Sequence, residues 1–229
     1  MGDDFSNHQI FVGDVEPQAF RRDFMKHLHN ALQHQGYDAV QNPEAANRAL
    51  AVGKTERWIC LYDSAGSGDI TDSTHFALLS QALSKFASVV DIHMDDSCAV
   101  HFYLYENGEE TDRFGNLKST WARWESDEER ISFQRKPLLW QRFLQNARDE
   151  KLQRETWDDG EATTILDETA RLFGWNEIYC KANLTIDYEG VPVFYREHFS
   201  DRQSPLSYGQ YLQNFPAINF FEEFYFSNQ

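Results

Sequence analysis

The sequence predicts an α+β fold: a mixed β-sheet with a βαβ unit and a β-hairpin, helices packed on one face, a C-terminal helical pair and an aromatic-rich tail. Three observations predict it. Short apolar runs bounded by turn residues alternate with helical i, i+4 stripes. The order strand, loop, helix, strand from Trp58 to Met94 outlines a βαβ unit. Asn107-Gly108, flanked by apolar alternation, is a strong hairpin signal. Residues 1–115 read as a sheet domain and 116–229 as a helical and mixed region, expected to pack on the first as one globular unit.

In chain order, the first helix is PQAFRRDFMKHLHNALQHQGY. Pro17 suits its first turn, Phe20, Phe24, Leu28 and Leu32 form one face, and Gly36 ends it. ERWICLYDS holds a buried strand from Trp58 to Tyr62. TDSTHFALLSQALSKF then forms a helix capped by Asp72 or Ser73, with Phe76, Leu79, Leu83 and Phe86 inward. SVVDIHM returns as a strand, parallel to the Trp58 strand if both share the sheet. CAVHFYLY ends at the turn Glu106 to Glu109, and Thr111 to Phe114 runs back. From Gly115 to Pro137 the chain is charged and aperiodic, the mark of a surface connection. Pro137 opens a helix through PLLWQRFLQNARDEKLQ, and Asp158 or Asp159 caps another through EATTILDETARLF, closed by Gly174. NLTIDYEG is a strand candidate before the tail NFPAINFFEEFYF.

Composition narrows the function classes. A net charge of -16, from 37 acidic and 21 basic residues, argues against a nucleic-acid backbone or an anionic membrane as partner. Aromatic residues make up 15% of the chain, which excludes wholesale disorder. The three cysteines, Cys60, Cys98 and Cys180, have no metal-knuckle spacing and read as buried or half-buried thiols in a reducing compartment. MGDDFSNHQIFVGDVEP has neither a basic leader nor a signal-peptide apolar run, so a cytoplasmic protein is expected.

The densest polar stretch is DIHMDDSCAVHFYLYENGEETDRF, from Asp91 to Phe114. A three-residue loop, Asp95-Asp96-Ser97, would align Met94 with Cys98, Ile92 with Val100 and Val90 with Phe102 on the buried face. It leaves Asp91 opposite His101, with His93 diagonal, on the face away from the helices. Two imidazoles and a carboxylate are a ligand set for zinc or non-haem iron; the same residues also suit a solvated sheet face with cross-strand Asp-His pairs. No cofactor is otherwise called for.

Other constellations are less developed. His27, His29 and His34 share a helix, but none lies three or four residues from another. YDSAGSGDITDST has the strand, loop and helix order of a phosphate cradle but lacks its lysine; Asp63, Asp69 and Asp72 would suit a hard cation instead. Ser64 and Cys60 have no identified partner base, and no catalytic residue is assigned. Asp127, Glu128, Glu129, Glu222 and Glu223 are candidate partner-binding carboxylates beside Trp121, Trp124 and the aromatic tail. That tail is either a strand folded onto the sheet or a set of exposed anchors.

The order WICLYDS, a helix ending ALSKF, VVDIHMDDSCAVHFYLYENGEETDRF and a helix ending ETARLFGW, across residues 56 to 175, resembles bacterial immunity proteins of polymorphic-toxin and type VI secretion systems. The resemblance implies a non-enzymatic, acidic cytoplasmic protein that neutralises a cognate, basic toxin domain, such as a nuclease, by occluding its active site. It carries no set of functional residues and no oligomeric state. The alternatives are a metal-dependent hydrolase using Asp91, His93 and His101, or a non-enzymatic adaptor module.

Overall fold

The structure, a computed structural model, describes residues 5–13, 17–42, 45–54, 57–66, 73–94, 99–115, 137–144, 162–175, 182–186, 192–196, 206–207 and 222–228. Its centre is an eight-stranded sheet. In chain order the elements are β1 (Phe5–Phe11), α1 (Pro17–His34), β2 (Tyr37–Val40), β3 (Arg48–Lys54), β4 (Trp58–Asp63), α2 (Ser73–Leu83), β5 (Val89–Met94), β6 (Val100–Glu106) and β7 (Glu109–Gly115). There follow a single helical turn, α3 (Pro137–Trp140), then α4 (Ala162–Phe173), β8 (Ala182–Ile186), β9 (Pro192–Arg196), β10 (Leu206–Ser207) and β11 (Glu222–Asn228).

The large sheet has the order β2-β11-β3-β4-β1-β5-β6-β7, and β10-β9-β8 form a second, three-stranded sheet. Every ladder between neighbours is antiparallel. The predicted βαβ unit is present in split form: β4 and β5 are parallel to one another, as expected, but β1 lies between them and pairs with both. The C-terminal aromatic tail likewise supplies a strand, since β11 inserts between β2 and β3, with Phe226 fully buried. Seven strands of the sheet thus come from residues 5–115 and the eighth from the far end of the chain.

Side chains alternate across each strand, so the sheet offers one set to each face. One face meets α1 and α2: Phe24, Leu28 and Leu32 of α1 and Leu79 and Leu83 of α2 pack on Ile10, Leu50, Ile59, Leu61 and Val89. The α1 stripe is the predicted one, and Gly36, at φ +86°, ends the helix in the left-handed conformation that glycine tolerates. The opposite face is aromatic. Trp58, Phe102 and Phe114 pack there against Trp140, Phe143, Phe173 and Trp175 from the C-terminal helical pair. The indole N–H groups of Trp58 and Trp140 are satisfied by Phe173 O at 2.8 Å and Asp112 Oδ2 at 2.6 Å. β8 lies against β1, β3 and β4.

Two sequence expectations need correction. The helix opened by Pro137 breaks early: it tightens into a 3-10 turn over Gln141–Phe143, Leu144 is extended at φ -58°, ψ 135°, and the rest of the predicted span, 145–153, lies outside the described residues. The Arg57 guanidinium explains the stop by capping the freed carbonyls, with Nη1 donating to Leu144 O at 3.0 Å. The β5-β6 register is also shifted by two residues, pairing Met94 with Val100, Ile92 with Phe102 and His93 with His101. A shift of two keeps the same side chains together on one face while changing their cross-strand partners. The Asn107-Gly108 turn is as predicted, with φ values of 55° and 88° matching a two-residue turn that needs both residues left-handed.

No helix among the described residues is long and apolar enough to cross a membrane. At the β6-β7 ladder, a Cβ added to Gly115 would sit 2.6 Å from Val100 O and 2.8 Å from His101 Cδ2. Gly115→Ala is therefore expected to destabilise the fold by about 1–3 kcal/mol in urea unfolding, through overpacking against backbone that cannot yield.

Candidate functional site

Four buried ionisable side chains, Arg48, Asp63, His8 and Asp91, gather on the sheet face beneath α2. In β1, FSNHQIF, His8 shares a face with Ile10; in β3, Arg48 shares one with Leu50; in β4, Asp63 follows Ile59 and Leu61; in β5, Asp91 follows Val89. Each polar residue occupies a position whose phase is inward. The register sets His8 directly opposite Asp91 and Leu61, with Asp63 one step diagonal, and sets Leu50 opposite Asp63, with Arg48 diagonal. Arg48, Asp63, His8 and Asp91 are all buried.

The geometry is a chain of charged contacts. Arg48 holds Asp63 through both oxygens, with Nε 3.0 Å from Oδ1 and Nη2 2.5 Å from Oδ2. Nη1 donates to Gln35 Oε1 at 2.9 Å, Nη2 also reaches His75 O more weakly at 3.5 Å, and the guanidinium carbon lies 4.9 Å from the Tyr37 ring centre. Ala65 N donates to Asp63 Oδ1 at 3.0 Å. Asp63 Oδ2 faces His8 Nε2 at 3.8 Å, an ion-pair distance beyond hydrogen-bond range. On the other side of the ring, His8 Nδ1 lies 2.7 Å from Asp91 Oδ1. Ser80 Oγ of α2 lies 2.6 and 2.7 Å from the two Asp91 oxygens and 2.8 Å from His8 Nδ1. Phe76 stacks on the imidazole, centroids 3.7 Å apart and planes 19° apart.

The electrostatics follow from burial and pairing. Burial works against charge on Asp63, but Arg48 and then His8 overcome it and hold the carboxyl far below its usual range. Burial likewise works against the His8 cation, and Asp91 and Asp63 together outweigh it, raising its pKa. His93 goes the other way: burial, helped by His8 and His101, outweighs the pull of Asp91 and pushes it down to about 4. Burial raises the Cys60 thiol well above its normal value, and its Sγ sits 2.8 Å from Gln9 Oε1 on the opposite sheet face.

Serine, histidine and aspartate in one cluster invite comparison with a hydrolytic triad, and the geometry contradicts it. A triad needs the hydroxyl on one ring nitrogen and the carboxylate on the other. Here Ser80 and Asp91 share Nδ1 while Nε2 faces a second carboxylate, and all three side chains are buried between α2 and the sheet. The cluster bonds strands together; it presents no nucleophile.

Asp91, His93 and His101 do share a face, as the sequence predicts, but that face is the one α2 covers and not a solvated one. Asp91 is engaged by His8 and Ser80, and His93 Nδ1 lies 2.8 Å from Ser6 Oγ. His93 and His101 stand edge-on to Tyr103. Among the described residues no group of three His, Cys, Asp or Glu side chains is placed to hold a metal ion. Asp63 is taken up by Arg48, which removes it from the suggested cation loop; Asp69 and Asp72 lie outside the described residues. Ser64 Oγ accepts from Ala49 N at 2.9 Å. His27 stacks on Phe86, and His29 Nδ1 bonds Met25 O at 2.8 Å.

Of the candidate partner-binding carboxylates, Glu222 and Glu223 begin β11, where their backbones pair with Val52 and Ala51. Asp127, Glu128 and Glu129, with Trp121 and Trp124, lie outside the described residues. The sequence reading missed Arg48, His8 and Ser80. For Arg48 and His8 the available signal was phase: a lone charged or polar residue two positions from a buried aliphatic one in a strand run.

Comparison with known proteins finds no matching family model, no matching curated protein and no matching solved structure.

Breaking one partner of a buried ion pair strands the other. Arg48→Met should cost about 3–5 kcal/mol in chemical denaturation by taking from Asp63 its two-pronged partner, and Arg48→Met/Asp63→Leu should recover a large part of that loss. A double variant no more stable than the single one would contradict this reading of the pair.

Proposed function

We propose that the protein is an acidic cytoplasmic binding protein, an immunity protein that neutralises a cognate toxin domain of basic surface by direct binding and occlusion of its active site. The observation that carries this reading is the location of the reactive groups. Arg48, Asp63, His8, Asp91 and Ser80 are buried and engaged with one another. Chemistry on a substrate would require dismantling them. To a partner the chain offers a net charge of -16.

Such a charge suits capture of a cationic protein, because a complementary potential steers encounter and raises the association rate. Asp127, Glu128, Glu129, Glu222 and Glu223 are the carboxylates proposed to meet basic residues of the partner, where they would compete with a phosphate substrate. A stable interface of this kind needs about 800 Å² on each partner, a small fraction of the available surface.

The test is stopped-flow association with a purified basic toxin domain, taken from a reading frame adjacent to this gene, across a salt series. The expected result is nanomolar or tighter affinity, with the on-rate falling about tenfold or more from low to high salt while the off-rate changes little. Absence of binding at low salt would sink the pairing.

A further inference from the structure

The polar cluster beneath α2 contains two carboxylates and one guanidinium, and its fourth ionisable member is His8. We propose that a proton on His8 is a structural component of this fold, a latch that ties β1 to β4, β5 and α2 and is released at alkaline pH.

The geometry points there because both ring nitrogens face carboxylates. From β5, Asp91 approaches Nδ1 at 2.7 Å; from β4, Asp63 stands 3.8 Å from Nε2. From α2, the neutral Ser80 hydroxyl and the Phe76 ring close the remaining side. His93, two residues along β5 from Asp91, also acts on the site, and Arg48 of β3 reaches it through Asp63. A neutral imidazole has one N–H, so it would turn a lone pair toward one buried carboxylate and leave the cluster with an excess negative charge. An imidazolium donates toward both and brings two anions and two cations into balance, the condition under which buried charge is tolerated. His93 is no substitute, since it is held neutral at ordinary pH.

The sign of the pH dependence follows. Burial lowers the His8 pKa, the carboxylates more than offset this, and the folded value lies above the ordinary 6.5. The stabilisation is therefore complete below the unfolded value and is lost as pH rises through the folded one. Between those two values the folding equilibrium constant should fall about tenfold per pH unit, the linkage of a single proton.

Urea unfolding of the full chain across about pH 5.5 to 9.5, for wild type and His8→Gln, reads this directly. Wild type is expected to lose stability from about pH 6.5 upward, and the variant to lack that slope. A second readout needs no variant: ¹⁵N spectra of the wild-type ring at neutral pH should show both His8 nitrogens protonated. Parallel pH slopes in the two proteins, or a His8 ring with one bare nitrogen at neutral pH, would overturn the proposal.

Discussion

Four adjacent strands are joined by one line of charge: Arg48 on β3, Asp63 on β4, His8 on β1 and Asp91 on β5. The rest of the sheet depends on this line because β1 separates the two strands of the βαβ unit, and a strand reading FSNHQIF has little aliphatic surface with which to hold that place. Its polar side chains do so instead. His8 works on the helix-covered face, while on the other Gln9 Nε2 donates to Asn7 Oδ1 at 2.6 Å and Cys60 Sγ meets Gln9 Oε1. A one-residue slip of β1 would exchange these two sets and leave buried charge unpaired, which costs far more than a misplaced aliphatic group.

The helices are positioned by the same line. Ser80 and Phe76 fix α2 over Asp91 and His8, and Arg48 ties β3 to Gln35 just beyond α1 and to the first turn of α2 through His75 O. Tyr37 Oη, 2.9 Å from His75 Nδ1, joins β2 to the same helix. The opposite face follows different physics. Its aromatic cluster is held by area and ring geometry, with indole N–H bonds from Trp58 and Trp140 and the Arg57 cap selecting how the C-terminal helices end on it. The charge line supplies register, and the apolar clusters on the two faces supply burial.

Much of this was legible in the sequence, and the failures have physical reasons. The α1 stripe, the buried WICLY run, the α2 face and the Asn107-Gly108 turn were readable because each rests on local periodicity or a local backbone requirement. β1 was not, because four consecutive polar residues, Ser6 to Gln9, conceal a strand whose partners lie about fifty to ninety residues away. The β5-β6 loop length could not be fixed, since registers differing by two residues satisfy the same pattern of faces. The Asp91, His93 and His101 grouping was found by alternation alone, but its role was misread: the expectation of a solvated face ignored that the inward phase of Asp91 matches Val89. Arg48, Asp63 and Ser80 join His8 and Asp91 only through tertiary pairing, which composition and spacing do not encode.

Arg48, Asp63, His8 and Asp91 are spent on the protein's own core, and the architecture built on them stands on β1 being locked in place. Native-state hydrogen exchange of the backbone amides of Asn7 to Ile10 measures that lock most directly. If the buried charge line holds the sheet together, these amides exchange only through global unfolding, with the same opening free energy as the core of β4 and β5. Exchange of β1 through a local opening, at a free energy well below that of its two neighbours, would contradict the account.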